Sequence, residues 1–181
     1  MPVPNPQAFS VLYANHYGSV LRYAYRRVGV DDAPDIAAEV FAVAWRRMDD
    51  IPPKVLPWLY GVARRTVANH LRSSERADRL VTRHAGEASR APTARDVGDQ
   101  VAEANVVQRA WSRLSADDRE LLALIGWERL GVGEAARVLG CSAAVCSVRL
   151  HRARRRLQSQ LAQEEVTDRG LRAEMKPEVR T

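Results

Sequence analysis

Apolar residues recur at steps of three and four along most of this chain, and that spacing restricts it to helices. Phe9, Leu12, Tyr13, Tyr17, Val20, Leu21, Ala24 and Val28 form the first stripe, which marks a helix with one buried face. Gly29 ends it. Asp31 and Asp32 then stand where a cap belongs, with Pro34 in the first turn of the next helix. Ile36, Ala37, Val40, Phe41, Ala44, Trp45 and Met48 carry the second stripe. The breaker cluster Asp49-Asp50-Ile51-Pro52-Pro53-Lys54 predicts a loop. Pro57 opens a third helix bearing Leu59, Val62, Ala63, Thr66, Val67, His70 and Leu71. Strand-favouring runs of Ile, Thr, Tyr and Phe are missing, while Ala, Leu, Arg, Glu and Val dominate.

The expected fold is therefore all-α, as two small helical domains. Residues 7–75 form the first bundle. Residues 76–100 are rich in Arg, Ala, Ser, Gly, Asp and Thr, contain Pro92 and lose the apolar period, so they predict a flexible linker. A second helical domain spans 101–161. In it Ser115-Ala-Asp-Asp118 is a capping pattern ahead of the run Leu121–Ile125. Residues 162–181 read as a polar tail of mixed charge with no apolar face.

Composition narrows the function classes. The formal net charge is +6, which favours a polyanionic partner. Cys141 and Cys146 are too few and too close for a disulfide framework. They read as small buried or half-buried thiols. His16, His70, His84 and His151 have no ligand spacing, so neither a metal nor a cofactor is expected. No apolar run is long enough to span a bilayer, and the start Met1-Pro-Val-Pro-Asn-Pro-Gln7 lacks the regions of a signal peptide. A cytoplasmic protein without membrane insertion is expected. No phosphate-cradling glycine loop or paired-carboxylate site is visible. The chain is thus not expected to be an enzyme or to take a small-molecule substrate.

The densest signal lies in residues 130–157. A short helix with Glu134, Ala135, Ala136, Val138 and Leu139 stops at Gly140, and a second starts at once with Ser142 at its N-cap. Small residues at 135 and 136 allow a close helix crossing, and the glycine turn between the two marks a helix-turn-helix. The second helix should bury Cys146, Leu150, Ala153 and Leu157. Its outward face is then Ala144, Ser147, Val148, His151, Arg152 and Arg155, small and polar at the start with cations further along. That order suits a recognition helix in a major groove. Arg149, Arg152, Arg154, Arg155 and Arg156 crowd into two turns, where phosphates would relieve their repulsion.

This segment resembles region four of sigma factors of the extracytoplasmic-function group, subunits that direct bacterial RNA polymerase. Leu114-Ser-Ala-Asp-Asp-Arg-Glu-Leu-Leu122 is similar to the opening of that domain. Asp35-Ile-Ala-Ala-Glu-Val-Phe-Ala-Val-Ala-Trp-Arg46 is similar to the family's polymerase-binding helix, and the stretch from Pro57 to Arg72 to its promoter-melting helix. The resemblance covers most of residues 7–161, with three anchors in the family's order.

The resemblance implies a division of labour. Asp35, Glu39 and Arg46 would face core RNA polymerase. Trp58, Tyr60, Arg64, Arg65, Asn69 and Arg72 would engage the opened minus-ten element, where cations and aromatics suit single-stranded DNA. The loop from about Asp49 to Leu56 would capture an unstacked base. Ser142, Ala144, Ser147, Val148, Arg149, His151, Arg152 and Arg155 would contact the minus-thirty-five duplex. The linker would thread the polymerase cleft or serve only as a tether. Promoter DNA, core polymerase and an anti-sigma protein are the implied partners. Phe41 and Trp45 read first as core packing, and Trp58 equally as core or DNA contact.

The sequence also departs from the family. Ala144-Val-Cys-Ser-Val-Arg-Leu150 replaces the usual Gly-Thr-Val-Lys-Ser-Arg-Leu, so Ser147 stands for a cation and Val148 for a serine. Val148 can contact a thymine methyl group. Pro34, Ala38 and Arg65 depart too, and the chain after Gln163 exceeds the family minimum. The competing reading is a stand-alone helix-turn-helix repressor or activator, which would leave the first bundle's two resemblances unexplained.

Overall fold

The computed structural model of the protein describes residues 5–84 and 101–174, with side chains for 5–77 and 106–168. The elements are α1 (Pro6–Arg46), a 3-10 turn (Met48–Asp50), α2 (Val55–His84), α3 (Val101–Ser112), α4 (Ala116–Gly126), α5 (Val132–Leu139) and α6 (Ala143–Glu174). No strand occurs among the described residues. They pack as two units. The first holds α1, α2 and residues 133–142, and the second holds α3, α4 and α6.

In the first unit α1 begins at a built cap. The Asn5 side chain accepts from the backbone N–H groups of Gln7 and Ala8, with Pro6 in the first turn. The helix is broken at Gly29, whose φ of 87° and ψ of −177° fall in a region open essentially to glycine alone. The chain folds back there. Phe9 on the first limb meets Trp45 on the second edge-on, with ring centroids 5.0 Å apart. Tyr13 meets Phe41 at 4.8 Å. Val20, Ala24, Ile36, Ala37 and Val40 are buried, as their spacing predicts.

The helix α2 packs on α1, burying Leu59, Ala63 and Val67. Leu59 and Val67 each contribute about 1.5–3 kcal/mol by leaving water, and Ala63 less. α2 continues past residue 75 to His84, so residues 76–84, expected in the linker, are helical. They contain neither glycine nor proline, and nothing there stops the helix. The rest of the expected linker, 85–100, lies outside the described residues.

In the second unit α6 packs on both α3 and α4. Its core is built by Ala110, Leu114, Leu121, Leu124, Cys146, Leu150 and Ala153. Ser115 caps α4, its Oγ accepting from the Asp118 N–H at 3.2 Å, as the capping pattern predicts. The expected polar tail is helical as far as Glu174, and residues 175–181 lie outside the described residues. Over residues 162–168 ion pairs anchor this extension to α3 and its C-terminal end. Glu164 is only 1% exposed. Arg109 Nε donates to its Oε2 at 2.6 Å, and Arg113 Nη2 lies 2.7 Å from its Oε1.

Candidate nucleic-acid interface

The turn before α6 is fixed by its backbone. Gly140 takes φ 69°, the Cys141 N–H donates to Ala136 O at 3.0 Å and the Gly140 N–H donates to Arg137 O at 3.3 Å. These bonds satisfy the last carbonyls of α5 in the manner of a glycine-capped helix end. The glycine turn read from the sequence is thus present, with α5 ending before it and α6 starting after it. Ser142 occupies the position just before the first residue of α6.

Along α6 the sides separate as expected. Cys146, Leu150 and Ala153 are buried, and Leu157 is half-buried. Ser142, Ala144, Ser147, Val148, His151, Arg152 and Arg155 are exposed. Arg149 differs from these. It is half-buried, and its Nη2 donates to Asp117 Oδ2 at 3.2 Å. Arg156 Nη1 donates to Asp118 Oδ2 at 2.7 Å. Two of the five clustered arginines therefore tie α6 to the start of α4. Arg152, Arg154 and Arg155 remain exposed and able to meet phosphates.

On α2, Arg65, Asn69 and Arg72 are exposed at steps of four and three, a single helix face. Arg72 Nη2 donates to Asn69 Oδ1 at 2.6 Å, which orients both side chains. Arg65 Nε donates to Gly61 O at 3.1 Å. Arg64 and Trp58 are half-buried. Arg76 is exposed one turn past Arg72 and extends the same stripe. Residue 76 falls in the expected linker, yet its four-residue spacing from Arg72 continues the helix face.

Tyr60 is placed otherwise than expected. It is 2% exposed and stacks on Tyr23 with ring centroids 5.1 Å apart. Its ring belongs to the α1–α2 core and has no surface to offer a base. The spacing to Ala63 and Val67 already puts it on the buried face.

On α1, Asp35, Glu39 and Arg46 are all exposed on the second limb. Beside them a cavity of about 430 Å³ is lined by Phe9, Tyr13, Phe41, Trp45 and Arg46, among others. Phe41 is 2% exposed and Trp45 half-buried, so both serve packing, as read from the sequence. No cluster of His, Cys, Asp and Glu able to hold a metal ion occurs among the described residues. No helix among the described residues is long and apolar enough to cross a membrane.

The pattern of Sigma-70 region 2 matches residues 12–77, and that of Sigma-70, region 4 matches residues 104–157. The chain belongs to the sigma-70 family, in its extracytoplasmic-function group. It is 32% identical over 157 residues to the ECF RNA polymerase sigma factor BldN of Streptomyces coelicolor, spanning 83% of this chain and 59% of BldN. It is 30% identical over 173 residues to the RNA polymerase sigma factor NccH of Alcaligenes xylosoxydans xylosoxydans, spanning 88% of this chain and 89% of NccH. CnrH, solved in complex with the cytosolic domain of CnrY, shares 26% identity at a TM-score of 0.59, covering 88% of this chain and 90% of CnrH. The sigma factor RpoE of Bartonella quintana, solved with the anti-sigma factor NepR, shares the fold at a TM-score of 0.58. Its identity is 23%, over 85% of this chain and 96% of RpoE.

Proposed function

We propose that this chain is a sigma factor that binds core RNA polymerase and directs initiation at a particular set of promoters. The observation that carries the reading is the presence in one chain, in the family's order, of region 2 over 12–77 and region 4 over 104–157. A stand-alone helix-turn-helix regulator needs only the second of these.

In this reading residues 7–75 and 101–161 are the working domains. Asp35, Glu39 and Arg46 dock on the polymerase. Arg64, Arg65, Asn69 and Arg72, with Trp58 at the helix start, hold the opened minus-ten strand, where bases stack and phosphates pair. The outward face of α6 enters the major groove of the minus-thirty-five duplex, with Arg152 and Arg155 on phosphates. Arg149 acts through Asp117 by fixing the angle of α6 on α4. The chain performs no bond chemistry of its own and works in the cytoplasm. Since CnrH and RpoE are described with CnrY and the anti-sigma factor NepR respectively, an anti-sigma protein that covers the polymerase-binding face is proposed here too.

Co-elution with purified core polymerase tests the docking face. The wild-type chain should co-elute, and the exposed double variant Asp35→Arg/Glu39→Arg should not, while remaining helical by circular dichroism. Co-elution unchanged by the variant would place the docking surface elsewhere, and no co-elution of the wild type would overturn the reading.

A further inference from the structure

The first turns of α6 expose two valines. Val145 and Val148 are 49% and 51% exposed. They stand three residues apart, so they share a helix face with a separation along the axis of about 4.5 Å. Neither builds the core, which on this helix is made by Cys146, Leu150 and Ala153. A β-branched residue on an exposed helix surface also costs helix propensity relative to alanine or leucine. The pair therefore weakens the isolated helix slightly while about half of each side chain stays in water.

Their surroundings restrict what they can meet. Ala144 and Ser147 are exposed beside them, and Arg152 and Arg155 follow further along the helix. From Ala143 to Val148 there is no Arg, Lys, Asn or Gln. The next residue, Arg149, is drawn to Asp117 at 3.2 Å. In the major groove guanine is read by Arg or Lys and adenine by Asn or Gln, whereas an aliphatic side chain reads the C5-methyl group of thymine. The axial separation of the valines is close to the base-pair step of about 3.4 Å. The exposed arginines behind them supply the charge that holds such a helix in the groove.

We infer that Val145 and Val148 read the methyl groups of neighbouring thymines in the duplex element bound by α6. The inference rests on the proposed sigma function and adds to it a specificity: a thymine-bearing step, selected by apolar contact, where an arginine-bearing helix would select guanine.

The test uses the full chain assembled with core polymerase and a promoter pool randomised over the upstream element. Transcribed templates are recovered and sequenced. The best template is then rebuilt with deoxyuridine in place of thymidine, one position at a time, which removes the methyl group and leaves base pairing intact. Thymine should be enriched at two neighbouring positions, and each deoxyuridine there should lower open-complex formation about fourfold. Val145→Ala should abolish the sensitivity at one position and Val148→Ala at the other. The deoxyuridine comparison with the wild-type chain does not depend on any variant folding. Selection of G·C pairs with no preference for A·T pairs at any position, or equal use of the deoxyuridine templates of either strand, overturns the inference while leaving the sigma reading intact. A pool that yields no sequence-dependent start overturns both.

Discussion

Arg156 Nη1 donates to Asp118 Oδ2 at 2.7 Å, which ties α6 to the first turn of α4. The two side chains differ in exposure, 59% for Arg156 and 10% for Asp118. Removing one partner is therefore not equivalent to removing the other. Arg156→Ala leaves a nearly buried carboxylate without its cation and should cost about 2–3 kcal/mol, less than a fully buried pair because the arginine is screened. Asp118→Ala leaves a solvated arginine and should cost about 1–2 kcal/mol. Urea unfolding of the two variants checks the order, and a larger loss for Asp118→Ala would contradict it.

Gly29 yields a prediction about backbone alone. Its φ of 87° excludes other residues, yet an added Cβ would meet nothing within 4 Å. Gly29→Ala should lower the unfolding free energy by about 1–3 kcal/mol through strain, without any repacking of the aromatic cluster. A melting temperature equal to that of the wild type would mean that the two limbs of α1 meet by a different backbone path.

Tyr60 and Arg65 separate packing from contact. Tyr60→Ala removes a buried ring from the α1–α2 core and should cost about 3–5 kcal/mol, with lost transcription following the loss of folded protein. Arg65→Ala changes an exposed side chain and should stay within about 0.5 kcal/mol of wild-type stability while weakening open-complex formation. Thermal melts run beside promoter-opening assays distinguish the two patterns. Normal stability in the Tyr60 variant would remove that residue from the core.

Local sequence signals suffice for the existence of the helices, the bend at Gly29, the Ser115 cap and the turn at Gly140, because each depends on neighbours a few residues away. They do not suffice for the helical extensions 76–84 and 162–174, which carry no apolar period. They suffice again for the buried side of α6, where Cys146, Leu150 and Ala153 keep helical spacing. What else escaped them depends on charges far apart in the chain. Asp117 and Arg149 meet across α4 and α6, so an arginine that reads as a DNA contact is already engaged. Glu164 looks like a solvated tail residue, because a burial pattern made of carboxylate and guanidinium has no apolar period. Tyr60 was legible, and its spacing to Val67 was outweighed by the attraction of an aromatic next to cations.

The clamp on Glu164 predicts that the extension of α6 is structural. Truncation after Leu161 removes the acidic partner of Arg109 and Arg113 and strands no buried charge, since both arginines are about half exposed. The loss should be about 1–2 kcal/mol, and Glu164→Ala in the full chain should reproduce most of it. If the truncated chain melts like the full one, α3 is held by its apolar residues alone.

Run-off transcription decides whether this chain directs initiation. Purified core RNA polymerase is incubated with the promoter region of this chain's own operon, with and without the chain. A defined start site should appear only when the chain is present. Protection of a duplex site by the chain on its own, with no start site added to core polymerase, would rule out a sigma factor and establish a repressor or activator in its place.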